Sequence, residues 1–292
     1  MMPTAIIDTV GVLSTAGALF IVSAGLTLVF GAMRLINIAH GSFYMYGAFL
    51  LTTIAGAGTG LRFWLAVVAA TIVVALIGAA VELVIMRRVY DSEHLTQLIA
   101  TFGLFLIFAD LALHFWGDNS RTANPPAAFA GQVAIGGAVF PAYDLVVIAA
   151  AVAVGLGLWV LLQRSGLGWR IRAAVEDPET LQAGGTNLPL LRTGMFTMGA
   201  LLAGLSGAIV APQVAVAPGM DSSIVVAAFI VAIIGGLGSV PGAALGALII
   251  GAAETIGTIV APTWASSFIY LAMIAVLVAR PSGLLGIPER RQ

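Results

Sequence analysis

The longest strongly polar stretch of the chain reads RSGLGWRIRAAVEDPETLQAGGTNLPLLR and covers residues 164–192. Within it, Asp177 followed by Pro178 predicts a helix start. An aspartate accepts hydrogen bonds from free backbone N–H groups, and proline needs no N–H at the first helical position. Glu179 lies in the first turn, where the helix dipole favours negative charge. The glycine pair beginning at Gly184 ends the helix about two turns later. So short a helix is unstable alone, so its flanks or a partner must hold it.

The rest of the chain is mostly hydrocarbon. Of 292 residues, 60% are hydrophobic and 9% are charged, and the mean hydropathy is +1.08. A soluble domain carries about 25% charged residues, so the composition predicts a polytopic protein of the lipid bilayer. The net charge of −1 leaves no broad basic face for nucleic acid. On composition alone, the polar stretch is an ordinary loop between spans.

Apolar runs of about 20 residues, the length that crosses a bilayer as a helix, predict the membrane segments. The runs are 10–33, 39–57, 63–86, 95–116, 143–162, 191–210, 224–237, 241–260 and 267–279. Two of them, 224–237 and 267–279, are short for a crossing. We therefore expect an all-α bundle of about eight or nine membrane segments, formed by a single domain over residues 1–292.

The arginines predict the orientation of the bundle. With nine crossings, ten arginines fall on one side of the membrane, and only Arg62 and Arg121 fall on the other. This bias predicts an external N-terminus and a cytoplasmic C-terminus. It places 164–192 inside and the loop 117–142 outside. In the outer loop, Gly136–Gly137 between short apolar stretches predicts a small β-hairpin.

Two stretches interrupt the helical pattern inside the membrane. In GAMRLINIAHGSFYMYG, residues 31–47, Arg34 and Asn37 are at helical spacing, as are Asn37 and His40. The stretch GGLGSVPGAALG, residues 235–246, carries five glycines and a proline. A pair of interrupted segments is typical of an inverted repeat around a central pathway, and irregular backbone at that depth needs cover from protein or water. Close helix packing is the alternative use of these glycines.

Four ionisable residues lie within the predicted spans: Glu82, Asp110, His114 and Glu254. A charge in lipid costs several kcal/mol, so we expect each to face the bundle interior. Glu82 is close in sequence to Arg87–Arg88, which predicts an ion pair at the inner surface. Asp110 and His114 are four residues apart and within reach of each other. A structural pair near the outer end of their span is a simpler interpretation than a proton relay.

Motifs of enzymes and metal sites are absent from the sequence. It has no GxxxxGK[ST], no HExxH, no GxSxG and no cysteine. Its three histidines are scattered over three segments. We therefore expect no catalytic residue, no metal site, no cofactor and no ATPase site. A pump would take its energy from an ion gradient or from a partner.

Four motifs carry a resemblance to the LivH-type permeases, the membrane subunits of branched-chain amino-acid ABC importers. The motifs follow one another in the family's order and span nearly the whole chain. Together they are specific for this family. The motifs are NIAHGSFYMYGAFL (37–50), RAAVEDPETLQAGGTNL (172–188), IGGLGSVPGAALGALIIG (234–251) and RPSGLLG (280–286). The family often has alanine at the position of Leu181.

The resemblance implies a binding-protein-dependent importer of the bacterial inner membrane. Its implied partners are cytoplasmic ATP-binding subunits, a second homologous permease forming a heterodimer, and an extracytoplasmic solute-binding protein received by loop 117–142. The loop 164–192 would supply a coupling helix that inserts into a groove of an ATP-binding subunit. The residues expected to couple to the ATPase are Glu176, Asp177, Pro178, Glu179, Leu181 and Gly184.

The implied mechanism is ATP-driven alternating access that moves a branched-chain amino acid or a similar small polar solute. We expect the translocation pathway beside Asn37, His40 and the backbone of Gly235, Gly236 and Gly238. Two other classes stay open: a secondary transporter or urea- or amide-type channel without ATP coupling, and a purely structural subunit. LivH-like permeases also serve urea, amide and aromatic-acid systems, so the sequence leaves the solute open.

Overall fold

The computed structural model describes residues 2–56, 58, 60–90 and 92–286. In these residues the chain is a helical bundle with one hairpin, whose strands are β1, Gln132–Ile135, and β2, Ala138–Pro141. The helices are α1 Met2–Met33, α2 His40–Ala55, α3 Leu61–Val81, α4 Arg87–Val89, α5 His94–Trp116, α6 Ala142–Arg164, α7 Leu167–Glu176, α8 Pro178–Ala183, α9 Leu188–Val210, α10 Met220–Gly235, α11 Val240–Val260 and α12 Ala265–Ala279. Arg290 and Arg291, used for the orientation, and Ala57, the end of the second predicted segment, lie outside the described residues.

Each of the nine predicted segments contains a helix, but the helices differ in length. Seven helical stretches in the described chain are long and apolar enough to cross a membrane: Ile6–Met33, Leu61–Val89, His94–Trp116, Ala142–Arg164, Leu188–Gln213, Val240–Val260 and Pro262–Ala279. The other two segments are α2 and α10, of 16 residues each. At 1.5 Å per residue they are about 24 Å long, less than the roughly 30 Å of hydrocarbon in a bilayer.

Helix α9 lies at the centre of the bundle, against α1, α2 and α3. The face that it buries is rich in small residues: Gly199, Ala200, Ala203, Gly204, Gly207 and Ala208. Small residues let helix backbones approach closely. A Cβ at Gly204 would lie 2.7 Å from Cβ of Val74 in α3, and a Cβ at Gly207 would overlap the carbonyl oxygen of Tyr44 in α2. Gly204 and Gly207 of α9 therefore serve close helix packing.

The first interrupted segment differs from its prediction. Arg34 has φ of 52°, which ends α1, and residues 34–39 stay non-helical until α2 begins at His40. The expectation that Arg34 and Asn37 share a helix face is therefore wrong. His40 Nε2 lies 2.9 Å from the carbonyl oxygen of Val22, a residue about 16 Å along α1 from its end at 1.5 Å per residue. Helix α2 thus begins inside the bundle, after a non-helical stretch that enters it.

The predicted hairpin in loop 117–142 is confirmed. Gly136 and Gly137 have φ of 60° and 81°, the left-handed values that a tight two-residue turn requires. The loop is also fixed at its start, because the backbones of Arg121 and Val216 exchange two hydrogen bonds of 2.8 and 2.9 Å. These bonds join the loop after α5 to the connection between α9 and α10.

Candidate functional site

The polar loop, residues 164–192, contains the predicted capped helix, which is α8. Asp177 Oδ2 accepts a hydrogen bond from the Thr180 hydroxyl at 2.5 Å, and Oδ1 accepts one from the Thr180 N–H at 2.9 Å. Because both bonds favour the charged carboxylate, they hold the pKa of Asp177 below its ordinary value. Pro178 is the first helical residue, and the helix ends at Ala183, before the glycine pair. The cap, the proline start and the glycine stop are confirmed.

A second short helix, α7, precedes α8 and was missed in the sequence. Its apolar residues Leu167, Ile171 and Ala174 follow the spacing of one helix face, and this was the available signal. Ile171 is buried in a cluster with Leu28 of α1 and Met195 of α9. Helix α7 is therefore anchored on the two helices at the centre of the bundle.

Helix α8 is held mainly through one residue. Leu181 is buried in a small apolar cluster with Ala174 of α7 and Leu188, the first residue of α9. The other predicted coupling residues lie at or near the surface. The flanks of α8 thus supply the support that a helix of six residues lacks by itself.

A surface notch of about 280 Å³ opens between α7 and α8. Its lining residues are Trp169, Ala173, Glu176, Asp177, Thr180, Leu181, Gly184 and Thr186. Four of the six predicted coupling residues line the notch, whereas Pro178 and Glu179 do not. The exposed carboxylates of Glu176 and Asp177 make one side acidic, and the half-exposed ring of Trp169 supplies an apolar wall. The notch is therefore open to solvent and acidic on one side.

A polar cluster lies inside the bundle where α2 meets α10. Asp221, 1% exposed, accepts hydrogen bonds from the Ser42 hydroxyl at 3.2 Å and from the Ser222 N–H at 3.1 Å. His40 is fully buried and bonds to Val22 through Nε2. A carboxylate buried in a membrane segment is a functional candidate by default, because it is costly to keep there.

Sequence reasoning missed Asp221. The residue precedes the apolar run that starts at Ile224, so it lies outside the predicted membrane segments. The signal that would have found it is an acid two residues after Gly219, in what becomes the first turn of α10. The glycine at position 41 lets α2 approach the Asp221 backbone, since a Cβ there would overlap the Asp221 carbonyl oxygen.

The predicted pathway residues fall in two places. Asn37 and His40 are buried near the start of α2. Gly235, Gly236 and Gly238 form the turn between α10 and α11, with φ of 99° and 87° at the last two.

That glycine turn is covered by the segment that follows α12. The Leu284 N–H donates to the Ile234 carbonyl at 2.8 Å, and the Leu285 N–H donates to the Gly235 carbonyl at 3.0 Å. These bonds fix the RPSGLLG motif (280–286) against the turn. Asp221 and the turn lie at opposite ends of α10, about 21 Å apart at 1.5 Å per residue. The pathway beside Asn37, His40 and the glycine turn stays a prediction.

The four ionisable residues of the spans behave differently, and Glu254 in α11 is only partly buried. Glu82 is fully buried and pairs with Arg87 at 3.7 Å, as predicted. Asp110 and His114 are exposed on α5, so the expectation that they face the bundle interior is wrong for both. The reason is the rotation of α5 about its own axis. Asp110 and His114 lie outside the one face that α5 buries. That face consists of Gln97, Thr101, Leu104, Phe108 and Ala112.

Comparisons with known proteins agree with one another. A family model described as the permease component of a branched-chain amino acid transport system matches residues 9–278. The chain is 31% identical over 289 residues to the high-affinity branched-chain amino acid transport system permease protein BraD of Pseudomonas aeruginosa, covering 94% of each protein. It is 30% identical over 292 residues to the corresponding protein LivH of Escherichia coli K12, covering 92% of this chain and 91% of LivH.

A more distant relative serves a sugar. The fructose import permease protein FrcC of Rhizobium meliloti is 29% identical over 259 residues, covering 83% of this chain and 66% of FrcC. No solved structure matches the chain.

Proposed function

Since the chain belongs to the family of permease components of branched-chain amino acid transport systems, we propose that it carries a branched-chain amino acid into the cell. It is a multi-pass protein of the inner membrane and acts as a transport subunit. The proposal adds that ATP is hydrolysed by partner subunits in the cytoplasm. Fructose import by FrcC makes a sugar the second candidate solute.

The observation that carries the ATP-coupled proposal is the construction of the polar loop. Helix α8 is capped by Asp177, held by Leu181, and open to solvent along the acidic notch. The proposed occupant of the notch is a side chain of an ATP-binding subunit, so that Glu176, Asp177, Pro178, Glu179, Leu181 and Gly184 form the contact. Movement of that subunit would then displace α8.

The displacement has a direct route into the bundle. Helix α7 packs on α1 and α9 through Ile171, and α8 continues into α9 through residues 184–187. Both receiving helices lie at the centre of the bundle. We propose that their movement opens the pathway alternately to the two sides, beside Asn37, His40 and the Gly235–Gly238 turn. A ligand or partner shifts such an equilibrium only by binding one state better than the other.

The proposed topology has the N-terminus outside and the C-terminus in the cytoplasm. The polar loop is then cytoplasmic, and loop 117–142 faces the opposite side. Its hairpin and its backbone bonds to Val216 give it a defined shape. This ordered loop is the proposed docking place for a solute-binding protein. The second half of the membrane unit is a homologous permease, so the proposed assembly is a heterodimer.

The test uses the full complex in proteoliposomes, with the cognate ATP-binding subunits, second permease and binding protein. We expect uptake of labelled leucine that requires ATP on the side of the polar loop. Asp177→Ala should reduce both co-purification of the ATP-binding subunits and uptake. Glu93→Ala is the matched control, because Glu93 is an exposed acid outside the polar loop whose side chain does not cap a helix. Uptake without ATP, or wild-type behaviour of Asp177→Ala, would contradict the proposal.

A further inference from the structure

Glu82 is a buried carboxylate at an irregular point of a membrane helix. Its side chain is fully buried. It begins a π-helical turn, Glu82–Met86, inserted between α3 and α4. Such turns are rare and are frequent at functional sites. Replacing a buried ion pair by apolar residues is often neutral or stabilising, so a buried carboxylate at this position calls for a reason other than stability.

The partners of Glu82 connect two distant parts of the chain. Thr193 of α9 donates its hydroxyl hydrogen to Glu82 Oε2 at 2.7 Å, and Arg87 Nη2 donates to the same hydroxyl oxygen at 2.8 Å. Next to them, the Arg192 guanidinium lies 5.2 Å from the ring centroid of Tyr90. We call these five residues the inner latch. Its bonds tie the inner end of α3 to the start of α9.

The position of the inner latch on α9 decides its role. Arg192 and Thr193 lie within the first six residues of α9, which follows α8 after four residues. Leu181 of α8 also packs against Leu188 of α9. A displacement of α8 therefore reaches the start of α9 first, before it reaches any other long helix along the chain.

We infer that Glu82 and Thr193 are positioning residues of ATP-coupled transport. The inner latch makes the first turns of α9 and the inner end of α3 move together, so that displacement of α8 reaches both. This inference rests on the proposed function. A hydrogen bond with a charged partner is stronger and more directional than an apolar contact, so it transmits a defined movement. An apolar contact at the same place would allow the two helices to slide.

The experiment measures solute transported per ATP hydrolysed by the full complex in proteoliposomes. Thr193→Val removes the hydroxyl and keeps the shape, Glu82→Gln removes the charge, and Thr193→Ser restores the hydroxyl. Thr258→Val is the matched control, since the Thr258 hydroxyl bonds only to the carbonyl of Thr255 one turn away in the same helix. Thr193→Val and Glu82→Gln should retain their ATP-binding subunits. Their transport per ATP should fall roughly tenfold, the factor that the loss of one charged hydrogen bond brings. Thr193→Ser and Thr258→Val should match wild type.

Three results would overturn the inference. The first is a wild-type transport ratio in both Thr193→Val and Glu82→Gln. The second is loss of the ATP-binding subunits from Thr193→Val, which would make the inner latch a docking element. The third is a fall in transport per ATP for Thr258→Val as large as for Thr193→Val, which would show that loss of any threonine hydroxyl has this effect. Failure of the proposed function looks different, because the wild-type complex itself would then show no ATP-dependent uptake.

Discussion

The crossing of α2 and α9 offers a direct test of the fold. A Cβ added at Gly207 would overlap the carbonyl oxygen of Tyr44 and approach its carbonyl carbon at 2.8 Å. Backbone atoms do not rotate away as the end of a flexible side chain does. Gly207→Ala should therefore force α2 and α9 apart. Gly103 in α5 is the matched control, since a Cβ there meets nothing within 4 Å.

The expected effect is a difference between these two variants. Both substitutions gain up to about 1 kcal/mol of helix propensity, so this contribution cancels in the comparison. Only Gly207→Ala overpacks a filled interior, which costs about 1 to 3 kcal/mol. A chain of this size shifts its Tm by about 2 to 4 °C per kcal/mol. Gly207→Ala should therefore melt roughly 2 to 12 °C below Gly103→Ala.

The assay is thermal unfolding of the purified variants in one detergent, followed by tryptophan fluorescence. One heating rate must be kept throughout, because unfolding of a large membrane protein is commonly irreversible and its apparent Tm depends on the rate. Transport by the same variants shows whether a shifted α2 also alters function. If Gly207→Ala melts at or above Gly103→Ala, the close contact between α2 and α9 is refuted.

Two further predictions concern polar groups. Ser42→Ala removes a hydrogen bond from buried Asp221 and should lower the free energy of unfolding by about 1 to 3 kcal/mol. The same melting assay checks it against Ser223→Ala, an exposed serine, and equal Tm values would contradict it. Because the pKa of Asp177 lies below its ordinary 3.8, the cap is fully formed above that value and is lost only as pH falls through the lowered folded pKa. Association of the ATP-binding subunits through Asp177 should thus be unchanged between about pH 7 and about pH 5, and a loss over that range, measured by co-purification, would refute this.

Local chemistry let the sequence predict several features correctly. The helical segments follow from apolar runs, and the Asp177–Pro178 start of α8 follows from capping rules that involve only neighbouring residues. The Gly136–Gly137 hairpin and the Glu82–Arg87 pair are likewise local in sequence. The motifs that resemble LivH-type permeases predicted the family correctly. Except for the family, which the four motifs identify together, each of these features depends on residues within a few positions of one another.

The sequence by itself thus determined the membrane class, the helical segments, the capped helix α8 and the family. Only the tertiary structure decided that α2 starts inside the bundle, that α5 turns Asp110 and His114 outward, and which polar groups meet. The hydrogen bond between Ser42 and Asp221 joins residues 179 positions apart, and that between Glu82 and Thr193 joins residues 111 apart. Such contacts depend on how whole helices rotate and pack against each other, and no local pattern encodes that rotation.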